Sequence, residues 1–451
     1  MRLTYLLAVT ASILALAGAG AARPAKRRAG APVARSLAGN EIEDSTKTGA
    51  VGPGATGPRV VRAQILLDRA RFSPGEIDGI YGSLNGILGV IDEDMVDLDR
   101  ERPEGIDAMA RTPAAILGSC RYKLTPDDYE RILAVFRAHN VRFFFYIGGN
   151  DSMDTAHNLA RFADAKHYDL SVMGIPKTID NDLAFTDHCP GYGSAARFTA
   201  LSIRDAGRDT EAIGNVDNVK VVEIMGRNAG WLTASAALAR ENVDDAPHLI
   251  YVPERSLNLG SFLEDVQRTY DRLGYAVIAA GETLRDEDGH ILAHTISSDV
   301  DSFGHPQRGG VAGFLCQLVR ERLGLKARFD KAGTIQRSFM AAASPVDVRE
   351  AMLVGEAAVR DAATGVTDRM VTLERLSDDP YECESGLVEL ARVANAERHL
   401  PDEYMAPVGN DVTDAFIAYA RPLLGGPLPP YARLARHLVP RLVFGQSDER
   451  T

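Results

Sequence analysis

The sequence predicts an α/β fold built on a mostly parallel sheet, and three neighbouring stretches carry that prediction. Residues 141–147 form an aromatic and β-branched run, which is typical of a strand buried on both faces. A glycine pair, Gly148 and Gly149, follows, and residues 153–165 then carry small and apolar side chains at helical spacing. Residues 170–175 form a second apolar strand. Strand, turn, helix and strand in this order indicate a parallel unit, which binds ligands at its carboxyl edge.

The rest of the chain continues this alternation of strands and helices. Apolar runs bounded by turn residues predict the strands, and apolar residues at a period near 3.6 predict the helices. The predicted strands are residues 77–82, 219–224, 249–253 and 276–280, and the predicted helices are residues 126–139, 229–239, 346–363, 386–396 and 412–424.

Composition places the chain among ordinary globular proteins. It has 451 residues, 45% hydrophobic and 25% charged, which is enough for two or three domains with a large core. The formal net charge of -12 argues against a general nucleic-acid binder or an anionic-membrane binder. The four cysteines are scattered, so we expect no disulfide framework and a reducing, cytoplasmic location; they are Cys120, Cys189, Cys316 and Cys383.

The amino terminus fits this pattern least. After Arg2, residues 3–22 are apolar and small, which by itself indicates a secretory signal peptide or a short membrane anchor. Residues 17–58 are dominated by Ala, Gly, Arg and Pro, a composition that indicates disorder. The alternative is that residues 1–58 are an artefact of a misplaced start or a frameshift. We favour an artefactual or degenerate amino terminus over an export signal.

Five motifs occur in a fixed order along the chain. They are Gly-Gly-Asn-Asp-Ser at 148–152, Pro-Lys-Thr-Ile-Asp-Asn-Asp at 176–182, Pro-Gly-Tyr-Gly-Ser-Ala-Ala at 190–196, Val-Glu-Ile-Met-Gly-Arg-Asn-Ala-Gly-Trp at 222–231 and Gly-Thr-Ile-Gln-Arg-Ser at 333–338. Together they resemble the phosphofructokinase family, in its pyrophosphate-dependent branch. Because several motifs agree in order, the resemblance is specific, whereas a single glycine turn would be weak. It extends from residue 77 to the low 420s.

The resemblance implies two similar lobes of mostly parallel sheet flanked by helices, with the active-site cleft between them. Residues 59–190 together with about 338–370 would form the donor-binding lobe, and residues 191–337 the sugar-phosphate lobe. Residues 371–451 would form a C-terminal helical extension. Because phosphate-binding arginines in many relatives come from a neighbouring subunit, the resemblance also implies a homodimer or homotetramer.

The activity implied is Mg²⁺-dependent, reversible transfer of a phosphoryl group from pyrophosphate to the 1-hydroxyl of fructose 6-phosphate. Such transfer needs an oriented nucleophile and neutralisation of the moving charge. Asp180 is the candidate general base, Asp182 would orient it, and we expect nearby cations to keep Asp180 ionised. Arg227 would neutralise charge on the transferred group. Asn150 stands where relatives most often hold Mg²⁺ with an aspartate, and its amide oxygen is a weaker ligand.

Two residues are expected to select the phosphoryl donor. ATP-using relatives typically carry glycine at both positions. Here Asp151 places a carboxylate where the α-phosphate of ATP would lie, and Lys177 supplies a compact cation for pyrophosphate. Gly148, Gly149 and Ser152 complete the donor-binding set, because a glycine turn at a helix start presents backbone N–H groups to phosphate.

The same resemblance implies the sugar-phosphate contacts. Glu282 would bind sugar hydroxyls, and Arg328 and Arg337 would hold the 6-phosphate with bidentate hydrogen bonds. Two positions depart from the family: Thr334 stands where a tyrosine or histidine is usual, and Asn218 where one arginine occurs. The full set of predicted substrate contacts is Thr178, Ile179, Asp180, Met225, Gly226, Arg227, Glu282, Arg328, Thr334 and Arg337.

Two other functions remain open at this point. One is the ATP-dependent phosphofructokinase reaction, which Asp151 and Lys177 oppose. The other is a non-catalytic subunit that binds sugar phosphate without turning it over. Asn150, Thr334 and the absence of a legible first phosphate loop favour that reading, and the intact Asp180 opposes it. In each case the expected partners are small phosphorylated molecules, with no nucleic acid and no membrane.

Overall fold

The structure is a computed structural model that describes residues 3–8, 77–110, 112–214, 216–292, 295–300, 306–308, 310–394, 396–435 and 437–439. Most of the amino-terminal segment singled out above, residues 9–58, lies outside the described residues. Across the described ranges, no helix combines the length and the apolar character that crossing a membrane requires.

Strands and helices alternate along the described chain. The strands are β1 (Leu3–Ala8), β2 (Ile77–Ser83), β3 (Met95–Asp97), β4 (Val141–Gly148), β5 (Ser171–Pro176), β6 (Val219–Ile224), β7 (Leu249–Tyr251), β8 (Ala276–Gly281), β9 (Thr295–Val300), β10 (Pro306–Arg308), β11 (Ala327–Lys331), β12 (Arg369–Asp378) and β13 (Tyr381–Glu389). The α-helices are α1 (Ile87–Ile91), α2 (Pro103–Met109), α3 (Pro126–Ala138), α4 (Asn150–Ala165), α5 (Tyr192–Ile213), α6 (Trp231–Ala234), α7 (Leu259–Leu273), α8 (Val311–Leu323), α9 (Pro345–Ala363), α10 (Leu390–Val393) and α11 (Asp414–Ala420).

The first sheet has the strand order β13-β12-β5-β4-β1-β2-β3. The strands from β2 to β12 run parallel, and the outer strands β3 and β13 are antiparallel to their neighbours. Both faces of β4 are buried, since Phe143 and Phe145 pack with α9 whereas Phe144 and Tyr146 pack with α3 and α4. This double burial explains why the strand is a continuous apolar run in the sequence.

The second sheet has the order β11-β6-β8-β7, with all four strands parallel. Side chains of α7 and α8 cover one face, and α5, Trp231 and Phe416 cover the other. β9 and β10 form a separate antiparallel pair. The predicted α/β fold with a sheet in each of two lobes is confirmed, and β6, β7 and β8 lie where the sequence predicted strands.

β1 brings part of the apolar amino terminus into the first sheet. It pairs in parallel with β2 on one side and with β4 on the other. These six residues thus form a central strand of the first sheet. Without them, the facing edges of β2 and β4 would lack hydrogen-bond partners in the middle of a sheet.

The carboxyl-terminal part begins as a β-hairpin. β12 pairs in parallel with β5, and β13 folds back antiparallel along β12 after Asp379 and Pro380. The prediction of a helix over residues 386–396 is wrong, because β13 continues to Glu389 and only Leu390–Val393 is helical. Sheet pairing overrides the local apolar spacing here. The predicted helix within residues 412–424 is present as α11 and a 3-10 turn, Pro422–Leu424.

The predicted helix over residues 229–239 is shorter and less regular than expected. α6 has only four residues and passes into a 3-10 segment, Ser235–Ala239. Every residue of both segments is buried, so packing against α5 rather than helix propensity decides the geometry. A single helical turn supplies little dipole, so this segment adds little positive potential beside Arg227.

Candidate active site

The carboxyl ends of strands from both sheets meet at one site. β4 and β5 of the first sheet lead into the loops at 148–152 and 176–182, and β6 and β8 of the second lead to Arg227 and Glu282. The two sides are close enough to act on each other, because both Arg227 and Glu282 shift the pKa of Asp180. The structure therefore gathers most of the predicted residues in one place.

The two loops of the first sheet are joined at their base. The backbone N–H of Lys177 donates to the carbonyl of Gly148 at 3.0 Å, next to Gly149, at which α4 begins. A Cβ added to Gly149 would meet only the carbonyl oxygen of Lys177, at 3.9 Å. The backbone beside Gly149 is thus open to a ligand, and no side chain caps the start of the 16-residue helix α4. Such a helix end attracts anions.

The predicted donor residues occupy the first turn of α4. Asp151 is exposed there, and Ser152 is hydrogen bonded to the hydroxyl of the buried Tyr146. The side-chain amide of Asn150 donates to the carbonyl of Ala396 at 2.5 Å. Asn150 therefore also ties α4 to the C-terminal part of the chain, a role that the sequence did not indicate.

Hydrogen bonds fix the loop that carries Asp180. Its backbone N–H donates to the hydroxyl oxygen of Thr178 at 3.1 Å, which makes a tight turn. Thr178 in turn donates its N–H to the carbonyl of Pro190 at 3.2 Å, and it bridges to Gly191. The side chain of Ile179 packs against the core of the second lobe. Contacts of Thr178 before Asp180 in the loop and of the neighbouring Ile179 therefore fix the position of the candidate base.

Asn181 anchors the same loop from within. Its side chain is fully buried, accepts from the N–H of Cys189 at 2.9 Å and donates to the hydroxyl of Tyr419 at 3.0 Å. These bonds keep the backbone of Asn181 in the left-handed region, with φ of 58°. Such a conformation is uncommon for a non-glycine residue and needs support of this kind.

Asp180 titrates far above the ordinary range of an aspartate. Burial raises its pKa first, the Asp182 carboxylate raises it further, and the net value is about 7 despite the opposing charges of Arg227 and Lys177. The expectation that cations keep Asp180 fully ionised is therefore wrong, because desolvation and like charge outweigh them. A carboxylate with a pKa near 7 is well matched to proton transfer at neutral pH.

Lys177 and Asp182 share this environment. Burial lowers the pKa of Lys177, with Asp180 raising it and the nearby Arg337 lowering it. Among the described residues, Asp182 Oδ1 is buried without a hydrogen-bond partner. An unpartnered buried carboxylate oxygen is costly, so it indicates a missing cation or donor at this point.

On the second sheet, a strained turn presents Arg227. Gly226 has φ of 141°, and a Cβ there would lie 2.5 Å from the carbonyl oxygen of Ala229, so only glycine fits. Arg227 follows with φ of 48°, and its carbonyl accepts from the hydroxyl of Thr283. Its side chain is exposed towards solvent. Backbone strain of this kind tends to be kept where a side chain must be aimed.

Glu282 supports the same turn. Its Oε1 accepts from the N–H of Arg227 at 3.1 Å and from that of Gly226 at 3.3 Å. Its own N–H donates to the carbonyl of Ile224 at 3.0 Å, which aligns the ends of β8 and β6. The predicted sugar-binding glutamate thus also shapes the loop that carries Met225 and Arg227.

The turn after β11 brings some of the remaining predicted residues to the site. Thr334 and Arg337 are exposed on the 3-10 turn Gly333–Arg337, and Arg337 is near enough to Lys177 to lower its pKa. Between them Gln336, which is buried, accepts from the N–H of Met225 at 3.2 Å. Sequence reasoning missed this glutamine, although it lies inside one of the five motifs.

Arg328 is the exception. It pairs in register with Lys220 near the start of β6, and its Nε lies 2.6 Å from Asp217 Oδ2. Met225 follows the far end of that strand, about 16 Å away at about 3.3 Å per residue. Arg328 therefore lies away from the other predicted substrate contacts of its own chain, because the register places it near the amino end of β6.

The chain is similar to proteins of one family. Residues 69–361 match the family described as Phosphofructokinase. The pyrophosphate--fructose 6-phosphate 1-phosphotransferase of Xanthomonas campestris pv. campestris (strain B100) is 42% identical over 356 residues, which cover 78% of this chain and 85% of that protein. Sulfofructose kinase of Alkalicoccus urumqiensis is 36% identical over 331 residues, or 73% of this chain and 84% of that protein.

A solved structure agrees with these relatives. The crystal structure of pyrophosphate-dependent phosphofructokinase from Marinobacter aquaeolei matches with a TM-score of 0.71 and 35% sequence identity. The match covers 88% of this chain and 96% of that one. The similarity therefore extends beyond residues 69–361, which the family model matches.

Proposed function

Because the chain belongs to the phosphofructokinase family, we propose that it transfers a phosphoryl group from pyrophosphate to the 1-hydroxyl of fructose 6-phosphate. The products are fructose 1,6-bisphosphate and phosphate, and the reaction runs in both directions. The observation that carries this proposal is the cluster of Asp180, Asp182, Lys177, Arg227 and Glu282 where two parallel sheets meet.

Asp180 acts as the general base. The sugar hydroxyl gives its proton to the Asp180 carboxylate as its oxygen attacks the terminal phosphorus of pyrophosphate, and the bond from that phosphorus to the bridging oxygen breaks. The departing phosphate keeps the bonding electrons. A pKa of about 7 lets Asp180 hold the proton and release it to water afterwards. In the reverse direction the protonated Asp180 returns the proton to the leaving sugar oxygen.

Cations from both lobes neutralise the moving phosphoryl group. Lys177 approaches from the loop of the base, and Arg227 from the strained turn across the cleft. The uncapped start of α4 adds backbone N–H groups on the donor side. This arrangement suits phosphoryl transfer, in which positioning and charge stabilisation supply most of the catalysis.

Asp151 and Lys177 set the preference for pyrophosphate over ATP. The exposed Asp151 carboxylate at the first turn of α4 repels a phosphate that continues past a diphosphate. Gly148, Gly149 and Ser152 leave the backbone open for the short donor. The Xanthomonas and Marinobacter relatives are both named for this donor, which supports the assignment.

Mg²⁺ fits the oxygen ligands of this site. Asp182 offers a buried carboxylate oxygen without a partner among the described residues, and hard divalent cations prefer such ligands. Asp182 would therefore hold the ion together with phosphate oxygens, and Asn150, whose amide is bonded to Ala396, would contribute less. When bound, Mg²⁺ would neutralise charge on the diphosphate.

The sugar side uses the turn around Gly226. Met225, Gly226 and Glu282 contact the sugar, and Thr178 and Ile179 bound it from the other lobe. Arg337 binds the 6-phosphate, with Thr334 beside it. These assignments rest on the family motifs and on the proximity of Arg337 to Lys177.

A homo-oligomer completes the site. Arg328 lies at the edge of the second sheet away from its own cleft, so it reaches a 6-phosphate only in a neighbouring subunit. Exposed apolar side chains on the same strand and the next turn, Phe329, Ile335 and Phe339, are each close to half exposed and suit burial by another copy. Light scattering after size exclusion should give a dimer or tetramer mass.

The donor is tested by an assay that offers pyrophosphate and ATP separately to the purified full chain with fructose 6-phosphate and Mg²⁺. We expect turnover with pyrophosphate and at least tenfold less with ATP. Turnover with ATP alone would overturn the role of Asp151 and Lys177. Calorimetric binding of fructose 6-phosphate without turnover by either donor would instead establish a non-catalytic protein.

The acceptor is tested in the same assay. Sulfofructose is offered in place of fructose 6-phosphate, because one relative is named for it. We expect the higher kcat/KM with fructose 6-phosphate. A preference for sulfofructose would reassign the acceptor and leave the donor assignment standing.

A further inference from the structure

Five residues of the C-terminal part, residues 396–400, run between the loops of the site, and we call this segment the strap. It lies outside residues 69–361, which match the family pattern. The strap contacts three loops: the donor loop at 148–152, the base loop at 176–187 and the arginine turn at 225–231. None of its residues carries a role in the phosphoryl-transfer chemistry described above.

The strap begins at the donor loop and then pairs with the base loop. The amide of Asn150 donates to the carbonyl of Ala396 at 2.5 Å. Glu397 forms an antiparallel bridge with Leu183, and the N–H of Arg398 donates to the carbonyl of Asp182 at 2.8 Å. The strap therefore ties the residue before Asp151 to the segment that carries both aspartates.

The side chain of Arg398 forms hydrogen bonds with several backbone carbonyls of the base loop. Its guanidinium donates to three backbone carbonyls, those of Asn181 at 3.1 Å, Thr186 at 2.6 Å and Asp187 at 2.5 Å. Because the guanidinium is planar and has five N–H donors, one arginine serves carbonyls that a lysine cannot serve together. A single side chain, that of Arg398, thereby links both ends of the loop from Asn181 to Asp187.

The side chain of Arg398 also packs against the arginine turn, which carries Arg227. Its guanidinium carbon is 4.3 Å from the centre of the Trp231 ring, and the Trp231 indole N–H donates to the carbonyl of Arg398 at 3.1 Å. His399 Nδ1 is 3.1 Å from the carbonyl oxygen of Asn228. Both tryptophan and asparagine belong to the turn that presents Arg227.

A half-buried glutamate, Glu254, holds the end of the strap. Glu254 Oε1 accepts from the N–H of Leu400 at 2.7 Å and from the N–H of Gly230 at 2.7 Å. Its other oxygen is buried without a partner among the described residues. Glu254 thus holds the strap and the arginine turn at one fixed separation.

We propose that Arg398 is a positioning residue that sets the distance between the loop of Asp180 and the turn of Arg227. This inference rests on the proposed function, since it assigns those two residues to the base and to the charge on the transferred group. Arg398 touches neither substrate; it acts through the backbone of Asn181 and the ring of Trp231. Loss of the strap contacts lets the two halves of the site separate while each lobe keeps its own core.

The test compares Arg398→Ala with the wild-type chain. We expect kcat to fall about 10–100-fold, because a displacement near 1 Å costs about that much, while KM for fructose 6-phosphate changes less than about threefold. Arg398→Lys should recover only part of the loss.

Arg197 provides a matched control. Like Arg398 it is half-buried and donates to three backbone carbonyls of the C-terminal part, those of Leu424, Gly426 and Pro427. None of these carbonyls belongs to the loops at 148–152, 176–187 or 225–231. Arg197→Ala should lower the melting temperature about as much as Arg398→Ala, with kcat within about twofold and unchanged hydrogen exchange at the amides of residues 178–187.

Two results would overturn the proposal. One is an Arg398→Ala protein that loses stability like Arg197→Ala and keeps its kcat. The other is unchanged hydrogen exchange at the amides of residues 178–187 in that variant. Exchange does not depend on turnover, and the wild-type chain is assayed first. Failure of the proposed function therefore appears as an inactive wild type, whereas failure of the positioning role appears in the exchange of the Arg398 variant.

Discussion

Asp180 and Glu282 are carboxylates of the same site, carried by different sheets and held in opposite ways. Asp180 sits on a loop of the first sheet where burial and Asp182 raise its pKa to about 7. Glu282 ends a strand of the second sheet, where its Oε1 accepts two backbone N–H groups from the turn of Arg227. Hydrogen bonds to backbone amides favour a carboxylate, and burial beside another carboxylate disfavours one.

The two acids show how the chemistry is divided across the cleft. The first lobe carries the group that can gain or lose a proton near neutral pH, and the second carries a carboxylate that shapes a turn through two backbone hydrogen bonds. Perturbed titration of this kind is common at catalytic carboxylates. If Asp180 and Glu282 differ in this way, substitutions at the two residues should differ in their effects on activity, on its pH dependence and on stability.

The largest effect is expected at Asp180. Asp180→Ala should lower kcat by ~10²–10⁴-fold, the usual contribution of a positioned base, while calorimetry still detects binding of fructose 6-phosphate. Asp288→Ala, in an exposed turn of the second lobe, serves as the control and should leave kcat unchanged. Near-normal turnover of the Asp180 variant would remove it from its role.

A smaller effect is expected at Lys177. Lys177→Met should lower kcat/KM for pyrophosphate by about 10–100-fold, because a hydrogen bond to a charged group is worth roughly 1.5–3 kcal/mol. The Lys177 charge also lowers the pKa of Asp180. Its removal should therefore move the acid limb of the pH profile of kcat/KM, where activity falls as Asp180 becomes protonated, above pH 7. An acid limb that stays in place would show that the two side chains do not interact.

Glu282→Gln should cause about a tenfold loss in kcat/KM for fructose 6-phosphate, since the amide oxygen can still accept the two N–H groups. The Glu282 charge raises the pKa of Asp180. The acid limb should accordingly move below pH 7, opposite to the shift in Lys177→Met. Shifts in the same direction in both variants would contradict the contrast between the two acids.

The smallest effect concerns stability. The folded-state pKa of Asp180 is about 7 against an ordinary value of 3.8, so its favourable contribution is present at low pH and lost as pH rises through 7. Asp180→Asn should therefore have a free energy of unfolding about 1–3 kcal/mol above that of wild type at pH 8, since one pKa unit is worth about 1.4 kcal/mol and Asp182 shares the shift.

Urea unfolding at pH 8 and near pH 4 measures this difference. The gain in Asp180→Asn should shrink towards zero at the lower pH. Equal stability of Asp180→Asn and wild type at pH 8 would mean that Asp180 titrates normally.

Local sequence was sufficient for much of the fold and for the loops of the site. The strands β4 and β5 were predictable because their burial on both faces leaves unbroken apolar runs. The turn at Gly226 was predictable because its backbone accepts only glycine. Strand β13 was not, since its conformation comes from pairing with β12 rather than from its own pattern.

Other features leave no local signal at all. Arg398 donates to backbone carbonyls, and any residue provides a carbonyl, so no motif marks its partners. The raised pKa of Asp180 depends on burial and on charges that arrive from the other sheet. The position of Arg328 depends on strand register, which the motif around it does not reveal.

Trp231 is the single tryptophan of the chain, and its ring lies against Arg398. The contacts of the strap with the donor loop and the base loop join residues more than 200 positions apart, and such long-range contacts are slow to form. The fluorescence of Trp231 should therefore report the last stage of refolding. During refolding, enzymatic turnover should recover at the same rate as the Trp231 fluorescence. Both should recover more slowly than the helical circular dichroism signal.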